Sequence, residues 1–314
     1  MTDDFKAAVK EGLSKKPKAI PSRFIYNAEG DRIFQEIMRM PEYYPTRSEY
    51  QIFQNQAAKL SQQFSAQGDF QLVELGAGDG AKTKVLIDYL CRNEMPFEYY
   101  PVDISGAVLE DLAADLARER PALKVEIMNY EYFTALQQIS KLSDKAKVVL
   151  FLGGNIGNFT RAEAGNFIKE LGKVLNSGDK LLSGIDLKKD PRVIRRAYND
   201  AQGITARFNF NLLKRINEEL GGQFDLNLFT HYPSYDPTTG ECRSYLVSKI
   251  DQQVKIEALN MAVTFERAEA IHTEISRKYH LSEINELAHE GGFTVLKNFS
   301  DENQFFVDTL WVKD

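Results

Sequence analysis

The stretch VELGAGDG, residues 73–80, joins an apolar strand to a glycine-rich turn, and a helix is expected to begin just after it, near Lys82. Because glycine lacks a Cβ atom, such a turn is tight and lets the backbone approach a ligand, while the helix offers N–H groups at its start. A strand, a glycine turn and a helix in this order predict a cofactor site at the carboxyl end of the strand.

The spacing of the glycines indicates which cofactor binds. Dinucleotide-binding turns have the pattern GxGxxG, whereas Gly76, Gly78 and Gly80 follow GxGxG, with the acidic residue Glu74 two positions ahead. This pattern favours S-adenosylmethionine (SAM) over NAD. An NAD-linked oxidoreductase is disfavoured further because the sequence offers no plausible catalytic His or Lys pair. We therefore expect Glu74 and the three glycines to bind SAM.

Acidic residues follow the next two predicted strands. Asp103 ends the second strand, which in such a sheet lies beside the glycine turn, so its carboxylate can accept hydrogen bonds from both ribose hydroxyls. Glu131 and Tyr132 follow the third strand and are expected to hold the adenine amino group and stack on its ring. For Lys82, in the first turn of the helix, the sequence leaves open a solvated side chain or a cofactor contact.

From residue 53 to residue 188 the sequence alternates short apolar runs with helical stretches, which is typical of βαβ units and a parallel sheet. The predicted strands lie at 70–75, 97–103, 123–128, 147–154 and 180–186, and the helices at about 82–91, 106–118, 131–140 and 161–175. Right-handed connections between these strands give a doubly wound, Rossmann-like α/β sheet.

The pattern changes on either side of this region. After Lys188 the sequence predicts a helical region at 194–220 and strand-like segments at 241–250, 252–259 and 261–276. The segment 282–314 predicts a helix and two antiparallel strands that complete the first sheet. We therefore predict a cofactor-binding sheet domain of residues 51–188 and 279–314, and a second, α+β domain for the substrate, made of residues 1–50 and 189–278.

Composition excludes several classes of partner. The 314 residues carry a net charge of −6 with scattered basic residues, unlike the basic patch of a nucleic-acid binder. No apolar stretch approaches the roughly 20 residues of a membrane span. Two distant cysteines and four histidines predict neither a disulfide framework nor a metal site. We expect a soluble, cytoplasmic protein with a small-molecule partner and without nucleic acid, membrane or metal.

Four further motifs, PEYYPTR, FLGGNIGNFT, RAYNDAQGITARFN and HTEISRKY, resemble those of the histidine-specific Nα-methyltransferases, which make hercynine in ergothioneine biosynthesis. The resemblance implies a class I methyltransferase sheet and a monomer. It also implies three methyl transfers from SAM to the α-amino group of L-histidine, which leave S-adenosylhomocysteine (SAH). It implies a cofactor site at the positions matching Gly76, Lys82, Asp103 and the pair Glu131-Tyr132. It implies an amino-acid site at Tyr26, Tyr43, Gly153, Asn158, Tyr198, Glu274 and Ser276.

The chemistry of these residues fits that role. Glu274 and Ser276 are two apart in a segment of alternating polarity, so we expect both on one strand face, together with His272, where a carboxylate and a hydroxyl can bind the two imidazole nitrogens. Asn158 can bind an amine or a carboxylate, and Tyr43 and Tyr198 can complete a carboxylate clamp. The catalytic roles are assigned to Asn158 and Tyr43, and His272 is not expected to act as a base.

Two departures from the family keep the substrate open. Ser244 stands where well-known histidine-specific members carry methionine against the imidazole, so we include Ser244 in the substrate site. Glu131 replaces the usual aspartate, which lengthens the reach to the adenine. The alternatives are an Nα-methyltransferase for tryptophan or a thiol-substituted histidine, and a non-catalytic cofactor-binding sensor. Asn158, Tyr198 and Glu274 argue against a sensor, which has no need of an amino-acid pocket.

Overall fold

The computed structural model describes residues 2–64 and 68–314. Its helices are α1 (Thr2–Ser14), α2 (Ala28–Arg39), α3 (Tyr44–Phe64), α4 (Thr83–Arg92), α5 (Gly106–Glu119), α6 (Tyr132–Leu142), α7 (Arg161–Val174), α8 (Pro191–Tyr198), α9 (Ile204–Leu220) and α10 (Leu281–Glu290). Several begin at side-chain caps: Asn27 caps α2, Asp190 caps α8 ahead of Pro191, and Thr160 forms a capping box on α7.

The strands are β1 (Lys18–Ala19), β2 (Phe70–Leu75), β3 (Phe97–Val102), β4 (Ala146–Phe151), β5 (Lys180–Asp186), β6 (Phe229–Asp236), β7 (Glu241–Ser248), β8 (Gln252–Ile256), β9 (Met261–Phe265), β10 (Ala270–Arg277), β11 (Phe293–Ser300) and β12 (Phe306–Lys313). The described residues divide into two compact units. The first unit lies within Met1–Tyr44 and Lys189–Arg277, and the second within Pro45–Lys188 and Lys278–Asp314.

The second unit is built on a sheet with the strand order β11-β12-β5-β4-β2-β3. The strands β3, β2, β4 and β5 run parallel, and β12 pairs antiparallel with both β5 and β11. Every residue of β2 is buried, because Leu72 packs into one apolar cluster and Val73 into another on the opposite face. The predicted α/β fold with a doubly wound, Rossmann-like sheet is confirmed.

The glycine-rich stretch lies where the order of strands in this sheet reverses. From β2 the chain passes to β3 on one side, and then to β4 on the other side of β2. The carboxyl ends of strands flanking such a switch point leave a crevice in which open α/β sheets bind their ligands. The turn after β2 is therefore placed for a cofactor.

The prediction of a continuous strand at 123–128 is wrong. This segment follows β3 through isolated bridges, with the Tyr99 N–H donating to the Lys124 carbonyl at 2.9 Å and the Asp103 N–H to the Met128 carbonyl at 3.3 Å. The residue midway between these two donors is Pro101, which has no N–H. The ladder therefore lacks its middle bond, and the segment runs beside β3 without becoming a strand.

The first unit contains a second sheet, ordered β1-β10-β7-β6, and a hairpin of β8 and β9. Helix α9 packs on this sheet through Phe208 and Leu212, which share an apolar cluster with Leu246 and Ile271. The edge strand β6 was not predicted from the sequence. It carries Pro233, which cannot donate to a ladder, and most of its residues are partly or fully exposed.

Candidate active site

The glycine turn (residues 76–80) follows β2. Gly76, Gly78 and Gly80 adopt φ values of 75°, 53° and 63°, which side chains disfavour. The Gly76 N–H donates to the Val102 carbonyl at 2.8 Å, so the turn is held against the end of β3. A Cβ atom on Gly78 would meet nothing within 4 Å, which leaves open space beside the turn for a ligand.

Asp103 lies directly on this turn. Its Oδ2 accepts a hydrogen bond from the Gly78 N–H at 3.1 Å, and its Oδ1 accepts one from the Ser105 N–H at 3.0 Å. Each carboxylate oxygen has a further lone pair to offer to a hydroxyl group. The carboxylate beside the turn therefore fits the ribose of SAM.

Glu74 occupies a different position from the other predicted cofactor residues. It is 4% exposed, and its two oxygens accept hydrogen bonds from the hydroxyls of Thr83 and Tyr99. Burial raises the pKa of Glu74 to about 7, although these two hydrogen bonds act in the opposite direction. Glu74 thus fixes the start of α4 against β2 and β3, and so its buried carboxylate supports the glycine turn that lies between β2 and α4.

The predicted adenine residues lie at the start of α6. Glu131 is exposed at the N-cap position, whereas the hydroxyl of Tyr132 lies 3.0 Å from the position a Cβ atom would take on Gly76. Burial, followed by the charges of Asp103 and Glu131, raises the pKa of Tyr132 to about 12. Tyr132 is therefore a neutral hydroxyl that reaches the glycine turn.

Lys82 is paired with Glu49 of α3, a residue that the sequence patterns did not single out. Glu49 is fully buried, and its Oε1 also accepts the Gly153 N–H at 2.7 Å. Burial lowers the pKa of Lys82, but the charge and hydrogen bond of Glu49 outweigh this effect, so the pKa is raised overall. Lys82 is therefore a stable cation beside the turn that follows β4.

The turn after β4 carries the other predicted residues of the second unit. Gly153 has a φ of 77°, and Asn158 is exposed at the end of the 3-10 turn Asn155–Asn158. The amide Nδ2 of Asn155 lies 3.7 Å from the Cβ position of Gly76. Asn155 was not predicted, because only the fold brings this turn to the glycine turn.

Alanine substitutions are expected to separate two tasks of the glycine turn. Gly78→Ala should weaken SAH binding at least about tenfold, because the Cβ enters the open space, while the left-handed backbone costs only about 1 kcal/mol. Gly80→Ala should lower the melting temperature more, since its Cβ would lie 2.7 Å from Leu112. Calorimetric SAH titration and thermal unfolding without ligand measure the two effects. Unchanged SAH affinity in Gly78→Ala would contradict the assignment.

In the first unit, the three predicted substrate tyrosines lie along one series of ring contacts. Phe34 contacts Tyr26 and Tyr43 edge-on, with ring centroids 5.6 Å and 6.4 Å apart, and Tyr43 contacts Tyr198 at 6.3 Å. Helix α9 contributes Phe208, whose ring lies 5.2 Å from that of Tyr26. We call Tyr26, Tyr43 and Tyr198 the tyrosine cluster.

A β-bulge in β10 sets the direction of Glu274. His272 lies opposite Tyr245 of β7, and Glu274 lies opposite Ser244, so Thr273 is an extra residue on β10. Because adjacent residues of β7 point to opposite faces, His272 and Glu274 do so as well. The expectation that His272 shares a face with Glu274 is therefore wrong, and the cause is the extra residue.

Glu274 and Ser276 do share a face, since their partners on β7 are two residues apart. Ser276 accepts a hydrogen bond from the Tyr198 hydroxyl at 2.8 Å, and Ser244 donates its hydroxyl to Glu274 at 3.2 Å. Desolvation of the Tyr26 hydroxyl, and next the Glu274 charge, raise the pKa of Tyr26 well above its ordinary value, although 37% of Tyr26 is exposed. The carboxylate therefore faces the tyrosine cluster.

His272 lies on the opposite face of the sheet. Its ring is 5.3 Å from that of Tyr245, and burial lowers its pKa from the usual value. His272 is therefore a neutral packing residue of that face. In the described part of the chain, no group of three or more His, Cys, Asp or Glu side chains is arranged to hold a metal ion.

The two units thus contain two kinds of site. The second unit has a doubly wound sheet, a GxGxG turn with open space beside it and a carboxylate on that turn. The first unit has a carboxylate and two hydroxyls that face the tyrosine cluster. The sheet and the glycine turn define the class of fold, a Rossmann-like α/β domain with a cofactor site at its switch point.

Sequence comparisons identify the family within this class. Residues 5–313 match the family described as histidine-specific methyltransferase, SAM-dependent. The chain belongs to this family, and the resemblance inferred from the four motifs is confirmed. Among residues 2–64 and 68–314, no helix has the length and apolar character needed to cross a bilayer.

Individual relatives agree with this membership. The chain is 36% identical over 284 residues to a histidine N-alpha-methyltransferase of Mycolicibacterium smegmatis, covering 90% of this chain and 87% of the relative. It is 33% identical to a histidine N-alpha-methyltransferase of Mycobacterium tuberculosis, covering 94% and 90%. It is 28% identical to ergothioneine biosynthesis protein 1 of Neurospora crassa, of which it spans 33%, with 94% of this chain covered.

Proposed function

We propose that the protein transfers methyl groups from SAM to the α-amino group of free L-histidine and stops at the trimethylated product, hercynine. The observation that supports histidine as the substrate is the pair Glu274 and Ser276, which lie on one face of β10 and face the tyrosine cluster. Family membership and the relatives' identities support the same acceptor. We also propose that it acts as a cytoplasmic monomer.

The hydrogen-bonding pattern of this pair fits an imidazole. A neutral imidazole has one N–H donor and one nitrogen acceptor. The Glu274 carboxylate can accept a hydrogen bond from the N–H, and the Ser276 hydroxyl, which accepts a hydrogen bond from Tyr198 at 2.8 Å, is of the donor type that the acceptor nitrogen needs. An indole has a single N–H and no second nitrogen, so it satisfies only half of this pair.

The hydrogen bond from Ser244 bears on the alternative acceptors. Ser244 is 1% exposed and uses its hydroxyl on Glu274, so it helps to orient the carboxylate. A serine is also smaller than the methionine of other family members, which leaves room for a substituent on the ring. We keep a thiol-substituted histidine, ahead of tryptophan, as the second candidate acceptor.

The remaining residues position the substrate amine. SAM, when bound, supplies a methyl group on a cationic sulfur that leaves as a neutral thioether. In our proposal the glycine turn, Lys82, Asp103, Glu131 and Tyr132 hold this cofactor, and Glu74 contributes by supporting the turn. Tyr26, Gly153 and Tyr198 bind the amino acid, while Asn158 and Tyr43 orient the amine lone pair and Tyr43 passes its proton to water. Orientation of this kind is a major source of rate acceleration.

We expect methylation to end by itself at three methyl groups. The faces of the tyrosine rings favour a cation, so the products of the first two transfers stay bound or rebind. A quaternary nitrogen has no lone pair and cannot react again. Mass spectrometry of a time course should show one and two added methyl groups as intermediates and three in the end product. Accumulation of monomethylhistidine as the end product would contradict this.

A further inference from the structure

We propose that Glu49 and Asp308 form a carboxyl pair that shares one proton, and that this pair is a positioning unit which holds Lys82 and Gly153 in the geometry that binds the cofactor. Lys82 and Gly153 belong to the site only through the proposed function, on which this inference rests. Neither Glu49 nor Asp308 is part of any sequence motif discussed above.

Glu49 connects two turns. Its Oε2 pairs with Lys82, at the start of α4 just past the glycine turn, and its Oε1 accepts the Gly153 N–H at 2.7 Å. The two turns follow the neighbouring strands β2 and β4. A single buried carboxylate therefore links the Lys82 side chain, just past the turn after β2, to the Gly153 backbone in the turn after β4.

Asp308 lies next to Glu49. It is fully buried in β12, opposite Gly184 of β5. A Cβ atom on Gly184 would lie 2.1 Å from Glu49 Oε1 and 3.1 Å from Asp308 Oδ1. Both carboxyl groups thus occupy the room that this glycine leaves, and no N–H or hydroxyl within residues 2–64 and 68–314 donates to either oxygen of Asp308.

The charges around this pair require a proton. Glu49, Asp308 and Lys82 would together bury two negative charges against one positive charge, and two adjacent carboxylates cannot both ionise without a large cost. Burial and then the Glu49 charge raise the pKa of Asp308 well above its ordinary value, against the opposing effect of Lys82. Glu74, which also interacts with Lys82 and Glu49, adds a further negative charge as it ionises around its pKa of about 7.

Protonation of Asp308 removes this excess of buried negative charge. Its O–H donates to Glu49, which keeps its remaining lone pairs for Lys82 and the Gly153 N–H. When the pH rises far enough, the proton passes to solvent and two like charges face each other. Their repulsion displaces Glu49 and with it the two turns. Because the folded state holds this proton more tightly than the unfolded chain, the stability it contributes is lost as the pH rises.

The substitution Asp308→Asn tests the shared proton. Its amide donates to Glu49 at every pH, so this variant should lack the loss of SAH affinity that the native protein shows as the pH rises. We would measure the SAH dissociation constant by calorimetry for the native protein and Asp308→Asn between pH 5 and 10. The titration of SAH itself is common to both proteins and cancels in the ratio of the two constants.

We expect the ratio of the native to the Asp308→Asn dissociation constant to be near one at pH 5 and to rise at least about tenfold at the alkaline end. The melting temperature of the variant should likewise gain on that of the native protein as the pH rises. A ratio that stays constant across this range would overturn the proposal. Failure to methylate histidine leaves this SAH readout unaffected, so the two proposals fail separately.

A second variant tests the positioning role. Glu49→Gln should weaken SAH binding at pH 7 at least about tenfold, since the ion pair with Lys82 is lost. The exposed Glu119→Gln of α5 serves as the matched control and should bind SAH as the native protein does. Native SAH affinity in Glu49→Gln would also overturn the proposal. If Glu49→Gln does not fold, the pH series on Asp308→Asn decides alone.

Discussion

Replacing Glu274 by alanine is expected to lower kcat/KM for histidine methylation at least about a hundredfold, while SAH binding stays unchanged. The variant loses a charge-assisted hydrogen bond of about 1.5–3 kcal/mol and leaves the imidazole N–H buried without an acceptor, which costs a further 1–3 kcal/mol or so. Steady-state kinetics with histidine and calorimetry with SAH measure the two parts.

The conservative variant Glu274→Gln serves as the matched control. Its amide oxygen still accepts a hydrogen bond but carries no charge, so we expect a loss intermediate between the native protein and Glu274→Ala. The Ser244 hydroxyl can still donate to that amide oxygen. If Glu274→Ala methylated histidine with native kinetics, Glu274 would not bind the imidazole.

Asp103→Ala is expected to raise the SAH dissociation constant about a hundredfold or more. In the proposed site, the change removes a charged acceptor for two ribose hydroxyls, each bond being worth about 1.5–3 kcal/mol. It also removes the hydrogen bond from the Gly78 N–H to Asp103. Calorimetric titration measures the effect, and Asp103→Asn, which keeps the shape without the charge, should lose less. An affinity within threefold or so of native would exclude Asp103 from the ribose site.

The parallel sheet could be predicted from the sequence because its signals are local. The strands Phe70–Leu75 and Lys180–Asp186 have the predicted bounds, since each is a short and mainly apolar run that is buried on both faces. The glycine turn and Asp103 could likewise be placed together, because successive parallel strands end at the same edge of the sheet. Their contact at 3.1 Å follows from that topology.

Departures from regular structure could not be predicted in the same way. The bulge at Thr273 reverses the alternation of β10, and it depends on Asn209 of α9, whose side chain accepts the Thr273 hydroxyl, and on the pairing with β7. Pro101 breaks a ladder that the apolar pattern of residues 123–128 predicts as continuous. In both cases a partner strand or helix decides the outcome.

The carboxyl pair of Glu49 and Asp308 also could not be predicted from the sequence. The two residues are near opposite ends of the sequence, in a helix and an antiparallel strand, and each looks like an ordinary polar position in its own segment. Only the folded sheet brings both against Gly184. The two carboxyl groups matter for the site because both are buried, and the sequence does not show whether a single carboxylate is buried.

The measurement that tests the central claim most directly is incubation of the purified protein with SAM and each free amino acid separately, followed by mass spectrometry for one, two and three added methyl groups. We predict that histidine alone gains three. Methylation of another amino acid, with none on histidine, would leave the fold and cofactor intact but contradict the substrate assignment, with Ser244 as the first residue to substitute. No product from any amino acid would contradict the enzyme itself and favour a cofactor-binding sensor.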